Sequence, residues 1–509
     1  MPDSLLSVVS PAPGSEDKTF LELPDGTVWS YGRFFAHAGR LANVLLSLGA
    51  KPGDRVAVQV DKSVDALALY VACVRAGVVY LPLNTAYTAA EVEYFVTDAE
   101  PRLLVCRPSF RAEAEALAKA AGATVETLGT EGDGSLLERA AEQPDGFADY
   151  AAGPDELAAI LYTSGTTGRS KGAMMTRGNL ASNAITLAEV WRFTADDVLL
   201  HALPIYHTHG LFVATNVVLQ AGASMLFLPR FDADEVVRRL PRATAMMGVP
   251  TFYTRLLDHP GLTPDLVRHM RLFISGSAPL LEATHVQFAE RTGHRILERY
   301  GMTETGMNTS NPYDGERIAG TVGFPLPGVE VRIADPESGA VLGPDEIGVI
   351  EVRGPNVFKG YWRMPEKTAA ELRADGFFIT GDVGKIDARG YVHIVGRAKD
   401  LIISGGFNVY PKEIELAIDA LDGVKESAVF GVPHPDFGEA VSAAVVLESG
   451  ASLTGAAIQQ ALQPVLAKFK HPKQVVIVPD LPRNAMGKVQ KNLLREAYAG
   501  LHAKTRPAS

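Results

Sequence analysis

The chain has 509 residues, 47% of them hydrophobic, which is enough to bury a large core and to divide into more than one domain. Its formal charge of -11 argues against a nucleic-acid binder, because affinity for a phosphate backbone needs a surplus of Lys and Arg on one face. The two cysteines, Cys73 in "YVACVRAGVVYLP" and Cys106 in "RLLVC", lack metal-ligand spacing and are expected to be inert core residues. The N-terminus "MPDSLLSVVSPAPG" has no basic region before an apolar core, and no uncharged run reaches the roughly 18 apolar residues of a membrane span. The expectation is a cytoplasmic protein that handles small molecules, without a nucleic-acid or membrane partner; composition leaves the oligomeric state open.

The Ala-rich stretch 112–123 reads as a helix. The apolar run Leu157 to Leu161 leads into "YTSGTTGRSKG", where Thr163, Ser164, Gly165, Thr166, Thr167 and Gly168 precede Lys171. The Walker pattern fails, because Ser170 and Gly172 flank the lysine. A GxSxG match at 168–172 also fails as a nucleophile elbow, since the apolar "AMMT" follows and a helix starts only near "RGNLASNA". The loop therefore joins two strands, and its hydroxyls and backbone N–H groups can face an anion. A plain flexible hairpin is the alternative.

From 197 to 300, short apolar runs alternate with helix-length amphipathic stretches, the pattern of parallel βα units. "DVLLHAL", "ASMLFL", "ATAMMGV" and "RLFIS" read as strands; "GLFVATNVVLQAG", "DADEVVRRL", "TFYTRLLDH" and "LLEATHVQFAERTG" read as helices. Ligands of such sheets lie beyond the carboxyl ends of the strands. There "RLFIS" runs into Gly276, Ser277, Ala278 and Pro279, and "RILER" into a loop of Tyr300, Gly301, Met302, Thr303, Glu304 and Thr305. If both strands are parallel, the two loops share an edge. Gly276 and Gly301 would let backbone approach a planar base, Tyr300 would stack on it, Thr303 would meet a phosphate, and Glu304 is a hard oxygen ligand suited to Mg2+ on a nucleotide. Each residue alone also fits a turn or a cap.

After residue 328 the texture changes to Gly-punctuated β segments, "VEVRIAD", "GVIEVRG" and "GFFITGDVGKIDARGYVHIVGR". Asp382 can take ribose hydroxyls or simply form a turn, and Arg397 can contact a ribose or make a surface ion pair. A final stretch of about 110 residues follows "GRAKD" and mixes helices and strands, so the expected domains are 1–398 and 399–509. Lys488, in "LPRNAMGKVQK", stands among other cations where a lysine ordinarily serves solubility.

The stretches "YTSGTTGRSKG", "SGSAPL", "ERYGMTET", "FITGD", "GRAKDLIISGGFNVYPKEIE" and "PRNAMGK" occur in the order and approximate spacing of the adenylate-forming enzymes that include the acyl-CoA synthetases. The resemblance covers nearly all of the chain. It implies an α/β fold: a large N-terminal domain with parallel βα sheets and a β-rich subdomain, and a small mobile α+β C-terminal domain. It also implies a two-step reaction. A carboxylate attacks the α-phosphorus of Mg-ATP to give an acyl-adenylate and pyrophosphate, and the thiol of coenzyme A then displaces AMP. On this resemblance Thr163 to Lys171 hold the leaving phosphates, Thr303 the α-phosphate and Glu304 the Mg2+. Tyr300, with its neighbours Gly301 and Met302, and Gly276 to Ala278 hold the adenine; Asp382 and Arg397 hold the ribose. Lys488 bridges the carboxylate and the α-phosphate. Lys399 is the hinge, and Gly405 and Gly406 in "SGGFN" leave room for the pantetheine arm.

Within that family "ERYGMTETGMNTSNPYDGER", "GPNVFKGYWRMPEKT" and "VPHPDFGEAV" resemble the malonate-activating members. Arg299, just before Tyr300, suits a second carboxylate on the substrate, because guanidinium pairs with one bidentately. Malonate is the first expectation, with His207 lining the pocket and Met307 limiting its depth. An Arg299 turned to the back of the sheet into a salt bridge is the alternative. A short-chain monocarboxylate or another dicarboxylate as substrate, and a catalytically silent nucleotide-binding regulator, are the competing functions.

Overall fold

The computed structural model describes residues 4–163, 170–404, 407–434, 438–484 and 487–501. The chain forms two compact units: Met1–Val331 with Val352–Phe378, and Arg332–Glu351 with Ile379–Ser509. No described helix is long and apolar enough to cross a membrane.

The first unit is built on two sheets. One has six strands, in the order Thr124–Thr127, Leu103–Cys106, Arg55–Gln59, Val79–Pro82, Leu157–Thr163, Lys171–Thr176. Its inner strands are parallel and buried on both faces, as the continuous apolar runs dictate. Helices Ala89–Ala99 and Arg111–Ala121 cover one face through Val92, Phe95 and Val96. Its edge is the antiparallel pair Leu157–Thr163 and Lys171–Thr176, followed at once by helix Arg177–Val190. The Gly-Thr loop thus joins two neighbouring strands, as its sequence suggests, and the elbow geometry is absent there.

The second sheet has nine strands. Its centre, Leu297–Met302, Leu272–Ser275, Ala245–Gly248, Val198–His201 and Ser224–Phe227, is parallel throughout. Helices Pro250–Asp258 and Glu282–Thr292 bury Tyr253, Leu256 and Phe288 against Leu200, Met246 and Phe273 of one face. Two local differences from the sequence expectation bear on the ligand region. The segment 300–302 is strand rather than loop: Leu297–Met302 continues to Met302 and turns tightly through Thr303–Thr305 into the antiparallel strand Gly306–Ser310. The stretch expected as one helix from 210 begins instead as a π-helical turn, His209–Thr215, before α-helix Asn216–Ala221. A Cβ on Gly210 would lie 2.1 Å from the Pro204 carbonyl, so only glycine lets the turn pack this closely.

The second unit carries most of the sheet Glu330–Ala334, Gly348–Arg353, Phe378–Ile386, Val392–Arg397, and a sheet centred on the antiparallel pair Val424–His434 and Gly438–Leu447. Alternation along the first strand of that pair sends Val429 to one core, with Ile414, Ile418 and Ile458, and Phe430 and Val432 to another, with Leu481 and Leu494. Lys399 lies inside this unit, on the short 3-10 turn Ala398–Asp400, so packing divides the chain elsewhere than at 398/399.

Candidate active site

Three groups of polar side chains collect the sequence-derived residues. The first stands at the mouth of the Gly-Thr loop. Thr163 and Lys171 are register partners at the ends of its two strands. Ser164, Gly165, Thr166, Thr167 and Gly168 lie outside the described residues. The Lys171 ammonium donates to the Tyr361 hydroxyl at 3.1 Å and to Glu371 at 3.3 Å, and it lies 4.2 Å from the Tyr361 ring centroid. Glu304, buried at the hairpin after Thr303, accepts from Thr163 Oγ1 at 3.4 Å and contacts the Tyr361 hydroxyl at 3.1 Å. That hydroxyl is also 2.7 Å from Glu371. One phenolic proton cannot serve both carboxylates at once, and Lys171 supplies the positive charge that holds the three oxygens together. Burial, with Glu304 beside it, pushes the Tyr361 phenol far up, so it stays neutral. Thr303, at the tip of the turn, is partly exposed. Tyr361 and Glu371 were not singled out in the sequence, because nothing in "GYWRMPEKTAAE" marks them as neighbours of segments some 60 and 200 residues away.

The second group lies where strand Leu272–Ser275 meets strand Leu297–Met302. Arg299 is 3% exposed, and its Nε and Nη2 have no hydrogen-bond partner among the described residues. The salt bridge considered for it does not form among the described residues. Its guanidinium fills the space above Gly276: a Cβ there would be 2.4 Å from Arg299 Cζ. The glycine expected to admit a base thus also makes room for this side chain. Gly301 is likewise closed, by the Gly306 carbonyl at 2.1 Å from a Cβ and by Met307. Tyr300 is 7% exposed within its strand, opposite Thr309, and Met302 pairs with Gly306.

Ser277 has φ 71°, a left-handed conformation costly for a residue with a Cβ, and aims its hydroxyl at His209 Nδ1 from 3.2 Å. Ala278 follows it, partly exposed. Burial, reinforced by Arg299, pushes His209 well below the usual histidine range, so the ring is neutral. The neutral ring carries one proton, so the Ser277 contact is compatible with two tautomers; in the one whose Nδ1 accepts from the serine hydroxyl, the proton is on Nε2, a buried atom without a partner among the described residues. His207 Nδ1 accepts from the His209 backbone N–H at 3.3 Å, so the first histidine also shapes the second. Met307 is 2% exposed, and the Asn183 amide grips its backbone by two bonds of 3.0 Å. His209 and Asn183 were missed; of the two histidines in "HTHG" only His207 was singled out.

The third group is in the second unit. Asp382 Oδ1 meets Arg397 Nε at 2.9 Å, across paired strands. Lys488 ends a turn in which Lys488 N–H donates to Asn484 Oδ1 at 3.0 Å and Gly487 adopts φ 73°. Burial, with Arg397 adding repulsion, pushes the Lys488 ammonium down to about 8, against the attraction of Asp382. Burial and Arg397 also lower Lys399. Asp382, Arg397, Lys399 and Lys488 therefore share one electrostatic neighbourhood. Gly405 and Gly406 lie outside the described residues.

Residues 11–362 match the model of the AMP-binding enzyme family, and residues 413–488 match that of the AMP-binding enzyme C-terminal domain. The chain belongs to this family. The crystal structure of ATP-bound MatB from Rhodopseudomonas palustris is 62% identical, with a TM-score of 0.97 over 99% of this chain and 100% of that one. Malonate--CoA ligase ACSF3, mitochondrial, of Mus musculus is 36% identical over 491 residues, covering 88% of this chain and 83% of that protein. Feruloyl-CoA synthase of Amycolatopsis sp is 35% identical over 478 residues, 93% of this chain and 94% of that protein. Within the family, the protein is an AMP-forming acyl-CoA synthetase with the large α/β body and small C-terminal domain of adenylate-forming enzymes.

Proposed function

We propose that the protein makes malonyl-CoA. A carboxylate oxygen of malonate attacks the α-phosphorus of ATP and expels pyrophosphate; the thiol of coenzyme A then attacks the acyl carbon of the malonyl-adenylate, forming the thioester and releasing AMP and a proton. The observation that carries the choice of acid is Arg299. A buried guanidinium with unpaired Nε and Nη2 costs several kcal/mol unless an anion completes it. A monocarboxylate spends its only charge at the reacting end and leaves Arg299 unpaired. Malonate brings a second carboxylate one methylene away. His209 Nε2–H is the neutral donor beside the same position, with Ser277 holding the ring through Nδ1; His207 lines the pocket, and buried Met307 limits its length. Relatives named malonate--CoA ligases support this acid, while the feruloyl-CoA synthase shows that the family frame also accepts others.

At the phosphate end, Lys171 and the Gly-Thr loop from Thr163 to Gly168 hold the β and γ phosphates and Thr303 the α-phosphate. Tyr300, Gly301 and Met302, with Gly276 to Ala278, border the adenine, and Asp382 with Arg397 binds the ribose. Glu304, a buried carboxylate already ringed by oxygen groups, fits Mg2+, which would neutralise phosphate charge. Lys488 neutralises the attacking carboxylate and the α-phosphate as they approach; a compact ammonium on a long stem suits two converging anions. Rotation about Lys399 then presents the loop containing Gly405 and Gly406 to the pantetheine arm. The test is pyrophosphate release with Mg-ATP, CoA and a panel of small acids. Malonate should exceed propionate and butyrate by at least about a hundredfold in kcat/KM. A preference for a monocarboxylate, or for an aromatic acid, overturns the assignment.

A further inference from the structure

A second polar chain in the first unit leads into the acid pocket from behind. Lys62 follows strand Arg55–Gln59 of the six-stranded sheet and precedes Ser63, which caps helix Val64–Ala76. Its head amine, which burial pushes well below the usual lysine range, reaches over to the nine-stranded sheet and donates to His201 Nδ1 and to the His201 carbonyl, both at 2.9 Å. It also lies 4.2 Å from the Phe227 ring centroid, and no carboxylate pairs with it among the described residues. A stem at the surface explains most lysines; this one directs its head group inward, onto a histidine that is 1% exposed.

The histidine's other nitrogen decides its protonation. His201 Nε2 is 2.9 Å from the Gly210 carbonyl, which can only accept, so Nε2 carries the hydrogen. Burial, with Lys62 adding repulsion, pushes the ring well below the usual histidine range and keeps it neutral, so Nδ1 is the acceptor that Lys62 fills. The Gly210 carbonyl takes a second bond from Thr215 Oγ1 at 3.0 Å. Gly210 is the second residue of the π-helical turn, next to His209, and has no room to shift toward Pro204. The chain Lys62, His201, Gly210 thus fixes the backbone from which His209 reaches Ser277.

We infer that Lys62 and His201 are positioning residues for the acid pocket, holding the π-helical turn so that His209 presents Nε2–H to the far carboxylate of the substrate. The inference rests on the malonate reading of Arg299. Without the lysine donor, Nδ1 is buried and unpaired; the ring turns or changes tautomer, the Gly210 carbonyl loses a bond, and His209 drifts from Ser277. ATP contacts none of Lys62, His201 and Gly210 in the proposed arrangement, so the damage falls first on acid binding.

Lys62→Met should raise KM for malonate about tenfold in ATP–pyrophosphate exchange while kcat stays within about twofold. ATP affinity by calorimetry should be unchanged, and Lys62→Arg, which keeps charged N–H donors, should recover most of the loss. An unchanged KM overturns the inference. So does a parallel loss of kcat, ATP affinity and thermal midpoint, which marks a general packing role. If Lys62→Met does not fold, Lys62→Arg and the wild-type tautomer decide: long-range proton–nitrogen NMR of histidine-labelled enzyme should show His201 neutral and protonated at Nε2, and protonation at Nδ1 overturns the inference. Absence of malonate-dependent exchange in the wild type defeats the malonate reading itself, an outcome visible before any variant is made.

Discussion

Lys171 and Arg299 are both cations on strands of the first unit, yet they are held in opposite ways. Lys171 is already matched by Glu371 and the Tyr361 hydroxyl, and Glu304 beside it is matched by Tyr361 and Thr163. Arg299 is almost fully buried with two nitrogens unmatched. On the proposed function, the phosphate end has to exchange internal partners for a ligand, whereas the acid end is an unfilled complement whose cost is carried by the fold until an anion arrives. Lys488, in the second unit, is an intermediate case, with Arg397 and Lys399 opposing its charge and Asp382 and Asp400 supporting it.

The contrast breaks most sharply at Arg299. Arg299→Met should lower kcat/KM for malonate by about a thousandfold, within the roughly 2–5 kcal/mol assigned to one partner of a buried charge pair. The same substitution should raise the unfolding free energy of the ligand-free protein by about 1–3 kcal/mol, because an uncompensated buried charge is replaced by an apolar side chain. Lower stability in denaturant titration would mean that Arg299 has a structural partner after all.

Lys488→Ala should come next, lowering malonyl-adenylate formation by about a hundredfold to a thousandfold while supplied malonyl-adenylate still reacts with CoA. Equal losses in both half-reactions would refute the separation of roles. The pH dependence follows from the same residue. Its folded value, about 8, lies below the ordinary lysine value of about 10.4, so the ammonium is present below pH 8 and lost as pH rises through it. The kcat/KM for adenylation should fall above pH 8 by about tenfold per unit, and Lys488→Arg should remove that limb. For stability the sign is opposite: between those two values the unfolded chain binds more protons, so this group's contribution increases with pH.

The smallest effect is expected at the matched end. Glu371→Gln frees Lys171 from one anion and should lower KM for ATP about threefold, with little change in KM for malonate. A rise in KM for ATP would instead make Glu371 a support for Lys171, and the proposed exchange of partners would be wrong.

The uneven legibility of these regions has a physical basis. The parallel core was readable because strands buried on both faces must be continuously apolar, as in "RLFIS" and "ATAMMGV". The Gly-Thr loop was readable as a strand-to-strand connection because its flanks are short and apolar. The 300–302 segment was misread as loop because Gly301 looks like a breaker, whereas here it permits the close approach of the Gly306 carbonyl. The π-helical turn was misread because its apolar run has helical periodicity, and the close packing of Gly210 against the Pro204 carbonyl leaves no mark in that pattern.

By itself the sequence determined most of the elements, the order of the two matched regions and the residues proposed to meet a nucleotide, because periodicity and motif spacing are local properties. Which partners those residues have was decided only by the fold. Alternation along Leu297–Met302 separates Arg299 from Glu298, but only packing puts Arg299 over Gly276, beside a neutral His209 and without a counterion among the described residues. Electrostatic character depends on burial and on neighbours brought in from distant segments, and the tertiary structure alone supplies both.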